Sequence, residues 1–302
     1  MAVGEGKGHL VPEGGRGPHA GLWNVGADCL RERRSLWPEI IARHVKIGLV
    51  DPVQEFMNLS PSAVRRSVYL RLVAANSIPE GWCTYARDVA PGLVEVLNIH
   101  RREASALVSD QYLDQLGGLE KLREWGEANL RILEVKAKGC EILVSPEGGI
   151  FRVLYDESTF TASRILTPDR LLQQLYGSTS MGLGMVVALP NRNEVAVHRI
   201  EDDSLLQSIG ALAKFARLQY RDSPGPLSYH VYWVTEDRFE QVIGADRHGG
   251  AVPMVSPAFA AVMDQAMRIP APWAAGPSKP GLSAPRRARR AAGERRNRPV
   301  AM

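Results

Sequence analysis

Between residues 141 and 267 one pattern recurs three times: two short apolar runs around a turn, then an amphipathic stretch of helical period. Glu141–Val144 and Ile150–Tyr155 flank Pro146-Glu147-Gly148-Gly149, and Met185–Leu189 and Glu194–Ile200 flank Pro190-Asn191-Arg192-Asn193. Ser228–Val234 and Phe239–Ile243 form the third pair. Turn residues between β-favouring runs predict hairpins. Thr167-Pro168-Asp169 then opens a helix through Leu171, Leu172, Leu175 and Tyr176 that Gly177 closes. Asp203 caps the next, with Leu205, Ile209, Leu212, Phe215, Ala216 and Tyr220 on one side. Ser256-Pro257 opens the last, with Phe259, Val262, Met263, Ala266 and Met267 on one side. Consecutive hairpins make antiparallel pairs, and helices between them most simply cover one sheet face. The fold class expected is therefore α+β, a largely antiparallel sheet with helices on one face. A parallel dinucleotide-binding sheet is disfavoured, because strands do not alternate singly with helices and no G-x-G-x-x-G occurs.

The part before this rhythm, about 35–133, reads as helical. Trp37, Ile40, Ile41, His44 and Ile47 recur at helical spacing, and Ser60-Pro61 is a helix start. Leu119, Leu122, Gly126, Asn129, Leu130 and Leu133 trace one face of a second helix. Val68–Val73 and Cys83–Arg87 are short β-like runs. Residues 1–34 hold eight glycines and few apolar side chains, which predicts a flexible N-terminal arm. Residues 271–302 are Pro, Gly, Ala and Arg with one aromatic residue, which predicts a disordered basic tail. The expected domain is 35–270, with its sheet-rich part over about 134–270.

The tail carries eight basic residues against Glu294 alone, a net +7, which leaves −3 for the rest of a chain whose total is +4. Any polyanion contact is therefore expected from Arg286, Arg287, Arg289, Arg290, Arg295, Arg296 and Arg298, weakly and without sequence preference. The more economical reading is a solvated tail. No run approaches the ~20 apolar residues needed to span a bilayer, and residues 1–15 lack the apolar core of a secretory signal. The expectation is a cytoplasmic protein with no membrane partner. Cys29, Cys83 and Cys140 lie too far apart for a zinc motif, so no metal is expected, and no cofactor motif is present. No G-x-S-x-G, H-E-x-x-H or phosphate-loop sequence occurs, so no catalytic residue is assigned.

Three residues remain as candidates for an anionic ligand: Arg164, Arg192 and His198. Alternation along Glu194–Ile200 puts His198 on a face with Ala196 and Ile200, where a histidine is usually a hydrogen-bonded structural residue. Arg192 sits in a turn, where a solvated hairpin tip is the expected state. Six residues of extended chain separate it from His198, about 15–20 Å at ~3.3 Å per residue, so the two cannot form a pair.

The stretches TYARDVAPGLVEVLNI (84–99), WGEANL (125–130), FTASRIL (160–166), GMVVALPNRNEVAVHRI (184–200) and LSYHVYWV (227–234) resemble the uncharacterised YtpQ-like bacterial family. The resemblance runs over about 36–245. It implies one cytosolic α+β module and supplies no catalytic roles. The function expected first is a non-enzymatic interaction module, of an accessory or immunity type, that docks a protein partner; the alternative is a binder or enzyme acting on a small anionic ligand through Arg164, Arg192 and His198. Convergence of those three side chains in one concavity would favour the second; scatter, or capping of the three by structure, would favour the first.

Overall fold

The computed structural model describes residues 2–3, 9–11, 20–49, 56, 58–101, 104–133, 139–246 and 250–271. At the N-terminus, β1 (Ala2–Val3), β2 (His9–Val11) and β3 (Ala20–Gly21) form a small antiparallel sheet. Helices α1 (Leu22–Arg31) and α2 (Trp37–Leu49) follow, tied by a hydrogen bond between His44 Nε2 and Asp28 Oδ2 at 2.9 Å. The arm expected over 1–34 is thus corrected in part. Strand pairing needs only backbone groups, so glycine content does not forbid it, and α1 buries Cys29. Arg286, Arg287, Arg289, Arg290, Arg295, Arg296 and Arg298 lie outside the described residues.

Helix α3 (Pro61–Ser67) starts where Ser60 Oγ accepts from the Ala63 N–H. It leads into an antiparallel sheet of β4 (Val68–Ala74), β5 (Arg87–Ala90), β6 (Leu93–Arg101) and β7 (Ala104–Leu107). β4 pairs with one edge of β6, and β5 and β7 with the other. The short α4 (Leu113–Leu116) and α5 (Leu119–Ile132) follow. This sheet lies inside the segment read as helical, which corrects that reading. The alternation in Leu93–Arg101 is interrupted by Glu95 and Asn98, and it pairs with residues that are local only in space.

Register sorts the side chains of this sheet. Val68, Leu70, Leu97 and Ile99 pack with Leu122 and Leu130 of α5. The opposite face is divided. Val73, Val94 and Val96 meet Cys83 in an apolar patch. Tyr69, Arg71, Asn98, His100 and Ser105 make the other part polar, since Tyr69 faces Asn98, and His100 faces Ser105, across the ladder.

The second sheet has seven antiparallel strands in the order β14-β13-β12-β10-β11-β9-β8. They are β8 (Gly139–Val144), β9 (Ile150–Tyr155), β10 (Met185–Asn191), β11 (Glu194–Arg199), β12 (Val231–Val234), β13 (Phe239–Ala245) and β14 (Ala251–Pro253). The helices are α6 (Pro168–Tyr176), α7 (Leu205–Asp222) and α8 (Pro257–Ala266), each after a hairpin, as the rhythm predicts. The hairpins begin at Gly139, Met185 and Val231, 46 residues apart each time. Gly177 closes α6 in the left-handed conformation, and Ser256 Oγ caps α8 by accepting from the Phe259 N–H.

Helices α7 and α8 cover one face, against Val186, Ala188, Ala196, Val231 and Trp233. Helix α6 lies on the other, where Val187, Leu189, Val195, Val197 and Tyr232 also meet Leu72 and Leu93 of the first sheet. The expectation of helices on one face holds for two of the three. β10 is buried at every residue, so both of its faces require cover, and α6 with the four-stranded sheet supplies the second layer. Among the described residues, no helix is long and apolar enough to cross a membrane.

Candidate functional site

The three candidates from the sequence do not meet. Arg164, 6% exposed, lies in the 3₁₀ turn Ala162–Leu166. Its Nη2 donates to the Leu133 carbonyl at 2.6 Å, one residue past α5. It serves there as a helix C-cap, a cation on carbonyls the helix leaves unpaired. Burial lowers its pKa to about 10, opposed by Asp156, so it remains charged near neutral pH. His198, 8% exposed, points to the α7 side of the seven-stranded sheet. Its Nδ1 lies 2.7 Å from the Ile150 carbonyl. A carbonyl only accepts, so Nδ1 carries the proton. Burial pushes the ring below its usual pKa, against the opposing effects of that hydrogen bond, Asp202 and Glu201. One ring nitrogen of His198 thus has a structural hydrogen bond, while the other, Nε2, is buried without a partner.

Arg192 differs from the solvated tip expected of it. Its methylene stem lies on Gly225, where a Cβ would come within 2.6 Å of Arg192 Cδ. Gly225 has φ +66°, a conformation that favours glycine. The backbone is held on both sides: Arg192 N–H donates to the Gly225 carbonyl at 3.0 Å, and its own carbonyl accepts from Ala162 at 3.1 Å. The next residue, Asn193, donates through Nδ2 to the Ser158 carbonyl at 3.1 Å. The turn is therefore packed against the 156–162 loop rather than extended into solvent.

That loop carries Phe160 to the polar part of the four-stranded sheet, with Thr159 next to it in the chain. The Phe160 ring lies 4.9 Å from Tyr69 and 5.5 Å from His100, centre to centre. Beside them Arg71 Nη1 donates to Asn98 Oδ1 at 2.8 Å, and Asn98 Nδ2 donates to Ser105 Oγ at 2.9 Å. The fully buried Asn98 thus fixes the Arg71 guanidinium through a neutral acceptor. No carboxylate lies within 4.0 Å of the guanidinium nitrogens of Arg71 or Arg192 among the described residues.

Nine buried side-chain N or O atoms among the described residues have no hydrogen-bond partner, and four of them belong to this loop, turn and sheet: Arg71 Nε, Arg192 Nε, His100 Nδ1 and Thr159 Oγ1. A buried unmade hydrogen bond costs about 1–3 kcal/mol, more for a charged group. Native proteins rarely leave one, and four around a single loop are a local concentration of unmet demand. Burial lowers the Arg71 pKa to about 10, with the Arg192 charge acting in the same direction. Burial also lowers the Arg192 pKa, and Asp28 of α1 opposes that effect. His100 falls below its usual value through burial and the Arg71 charge, so its ring is neutral near pH 7. The site holds two cations and a neutral imidazole.

Sequence reasoning found one of these residues. Arg71 stands in Val68–Ala74, otherwise a run of apolar residues and one tyrosine, and Asn98 and His100 stand two apart in β6. An arginine inside a buried strand, opposite a strand with alternate polar residues, is the signal that could have found the rest. Among the described residues, no group of three or more His, Cys, Asp and Glu could hold a metal ion. No protein-family model, curated protein or solved structure matches this chain, so the chemistry of the site carries its own interpretation.

Proposed function

We propose that the chain binds a small anionic ligand in the cradle of Arg71, Arg192, His100 and Thr159. The observation that carries the reading is the set of four buried, unpartnered polar atoms beside two guanidinium groups without a carboxylate partner. An oxyanion supplies the acceptors that such donors lack, and charge-assisted hydrogen bonds are the stronger kind. Arg192 is the only residue shared with the trio taken from the sequence; Arg164 and His198 have structural partners instead. A cytosolic location and kinship with the YtpQ-like family belong to the same proposal. The test is thermal unfolding in a panel of anions against chloride at equal ionic strength. A ligand at ten times its Kd should stabilise by about 1.4 kcal/mol. The gain should disappear in Arg192→Gln. A panel without effect, or a gain that survives the substitution, rejects the reading.

A second reading, a protein-interaction module, draws on β8. This edge strand exposes Ile142 (48%) and Val144 (42%) beside Cys140 and contains no proline or lysine. Bare apolar edges of this kind invite pairing. The occupant proposed is β8 of a second copy, pairing antiparallel about a two-fold axis. Sedimentation of a dimer that Ile142→Lys dissolves would support it, and a monomer at every concentration would remove it.

A further inference from the structure

We infer that the group held between Arg71 and Arg192 is a tetrahedral dianion, a phosphate monoester, rather than a carboxylate. The inference rests on the anion-binding reading above and adds the chemical class. Charge is the first argument. Two arginines with no carboxylate in ion-pair contact offer close to +2, which Asp28 of α1 reduces through its action on Arg192, and Asn98 and Ser105 hold Arg71 without neutralising it. A phosphate monoester carries about −1.5 to −2 at pH 7, whereas a single carboxylate would leave one cation unbalanced.

Donor number and placement are the second argument. The unpartnered donors come from three separate elements: Arg71 Nε from β4, Thr159 Oγ1 from the 156–162 loop and Arg192 Nε from the β10–β11 turn. A carboxylate presents two oxygens in one plane. The three terminal oxygens of a phosphate diverge and accept from donors on different sides. His100 Nδ1 adds a fourth position, which can donate from the neutral ring. The aromatic wall of Tyr69 and Phe160 lies alongside.

The experiment is calorimetric titration of the full chain with methyl phosphate, sulfate and succinate at fixed ionic strength, at pH 7.5 and 5.5. Methyl phosphate and sulfate should bind at least about tenfold more tightly than succinate at pH 7.5, as two good charge-assisted bonds would give. With a second pKa near 6, methyl phosphate should weaken about fourfold relative to sulfate at pH 5.5. The ratio cancels any titration of the protein itself. Arg192→Gln should abolish binding, and Thr159→Val, a smaller change that removes an unpartnered hydroxyl, should weaken both tetrahedral ions severalfold at a denaturation midpoint that does not fall. Succinate binding as tightly as methyl phosphate overturns the tetrahedral assignment and leaves anion binding intact. Failure of all three ions to bind, or binding indifferent to both substitutions, overturns the anion-binding reading as well.

Discussion

Gly126→Ala separates the effect of helix propensity from that of the fold. Gly126 lies in the interior of α5, where alanine is favoured over glycine by about 1 kcal/mol. Propensity alone therefore predicts a more stable protein. In the structure, a Cβ at Gly126 would lie 3.0 Å from Leu70 N and 3.1 Å from the Tyr69 carbonyl carbon. These are backbone atoms of β4, which pairs with β6 at every residue from Val68 to Ala74. On its far edge the Leu72 N–H donates to Ser163 Oγ at 3.0 Å. β4 has nowhere to retreat, so α5 must move outward and loosen Leu122 and Leu130. Overpacking of this kind costs about 1–3 kcal/mol. Set against the propensity gain, the net is a loss of about 1 kcal/mol, up to about 2. Gly210 in α7 is the control: nothing lies within 4 Å of its Cβ position, so Gly210→Ala should stabilise by about 1 kcal/mol. Urea melts of both variants give the comparison. A Gly126→Ala midpoint that rises alongside that of Gly210→Ala would refute the claim that α5 touches the β4 backbone.

Other perturbations follow from the same contacts. Arg164→Ala leaves the Leu133 carbonyl without its donor and should cost about 1–3 kcal/mol in a denaturant melt, whereas anion binding per folded molecule should not change. Gly225→Ala should displace the Arg192 stem and weaken anion binding severalfold; affinity equal to wild type would contradict the described seat of that side chain. His100, His198 and His230 all have pKa values lowered by burial, so their contribution to stability is complete above about pH 6.5 and is lost as pH falls below it. Melting midpoints in chloride should therefore fall between pH 7.5 and 5.5, and a flat profile would deny the burial of these rings. Of the three cysteines, Cys140 is exposed while Cys29 and Cys83 are buried, so a thiol reagent should label Cys140 first in the native protein.

The elements legible in the sequence are those with local causes. Ser60-Pro61, Ser256-Pro257 and Thr167-Pro168 each open a helix near where the chain opens one. The Pro146–Gly149 and Asn191–Asn193 turns close hairpins because two or three residues determine them. The four-stranded sheet was obscured because β4 and β6 are joined through a long connection, and the intervening turns resemble helix punctuation. The side of the sheet taken by α6 was also obscured, although the unbroken apolar run of β10 implies cover on both faces. The candidate site was least legible of all. Arg71, His100, Thr159 and Arg192 come from four segments, and each alone has an ordinary reading. Only the packing of Phe160 onto Tyr69 and His100 brings the loop, the turn and the sheet together.

The central claim concerns two specific N–H groups, and arginine Nε–H resonances observe them directly. In a ¹⁵N-labelled full chain, the Nε–H signals of Arg71 and Arg192 should move downfield and exchange more slowly on titration with methyl phosphate. That of Arg164, already bound to the Leu133 carbonyl through its guanidinium, should stay in place. Resonances of Arg71 and Arg192 that remain still at saturating methyl phosphate and sulfate, or that move no more than that of Arg164, would contradict the assignment of this cradle as an anion site.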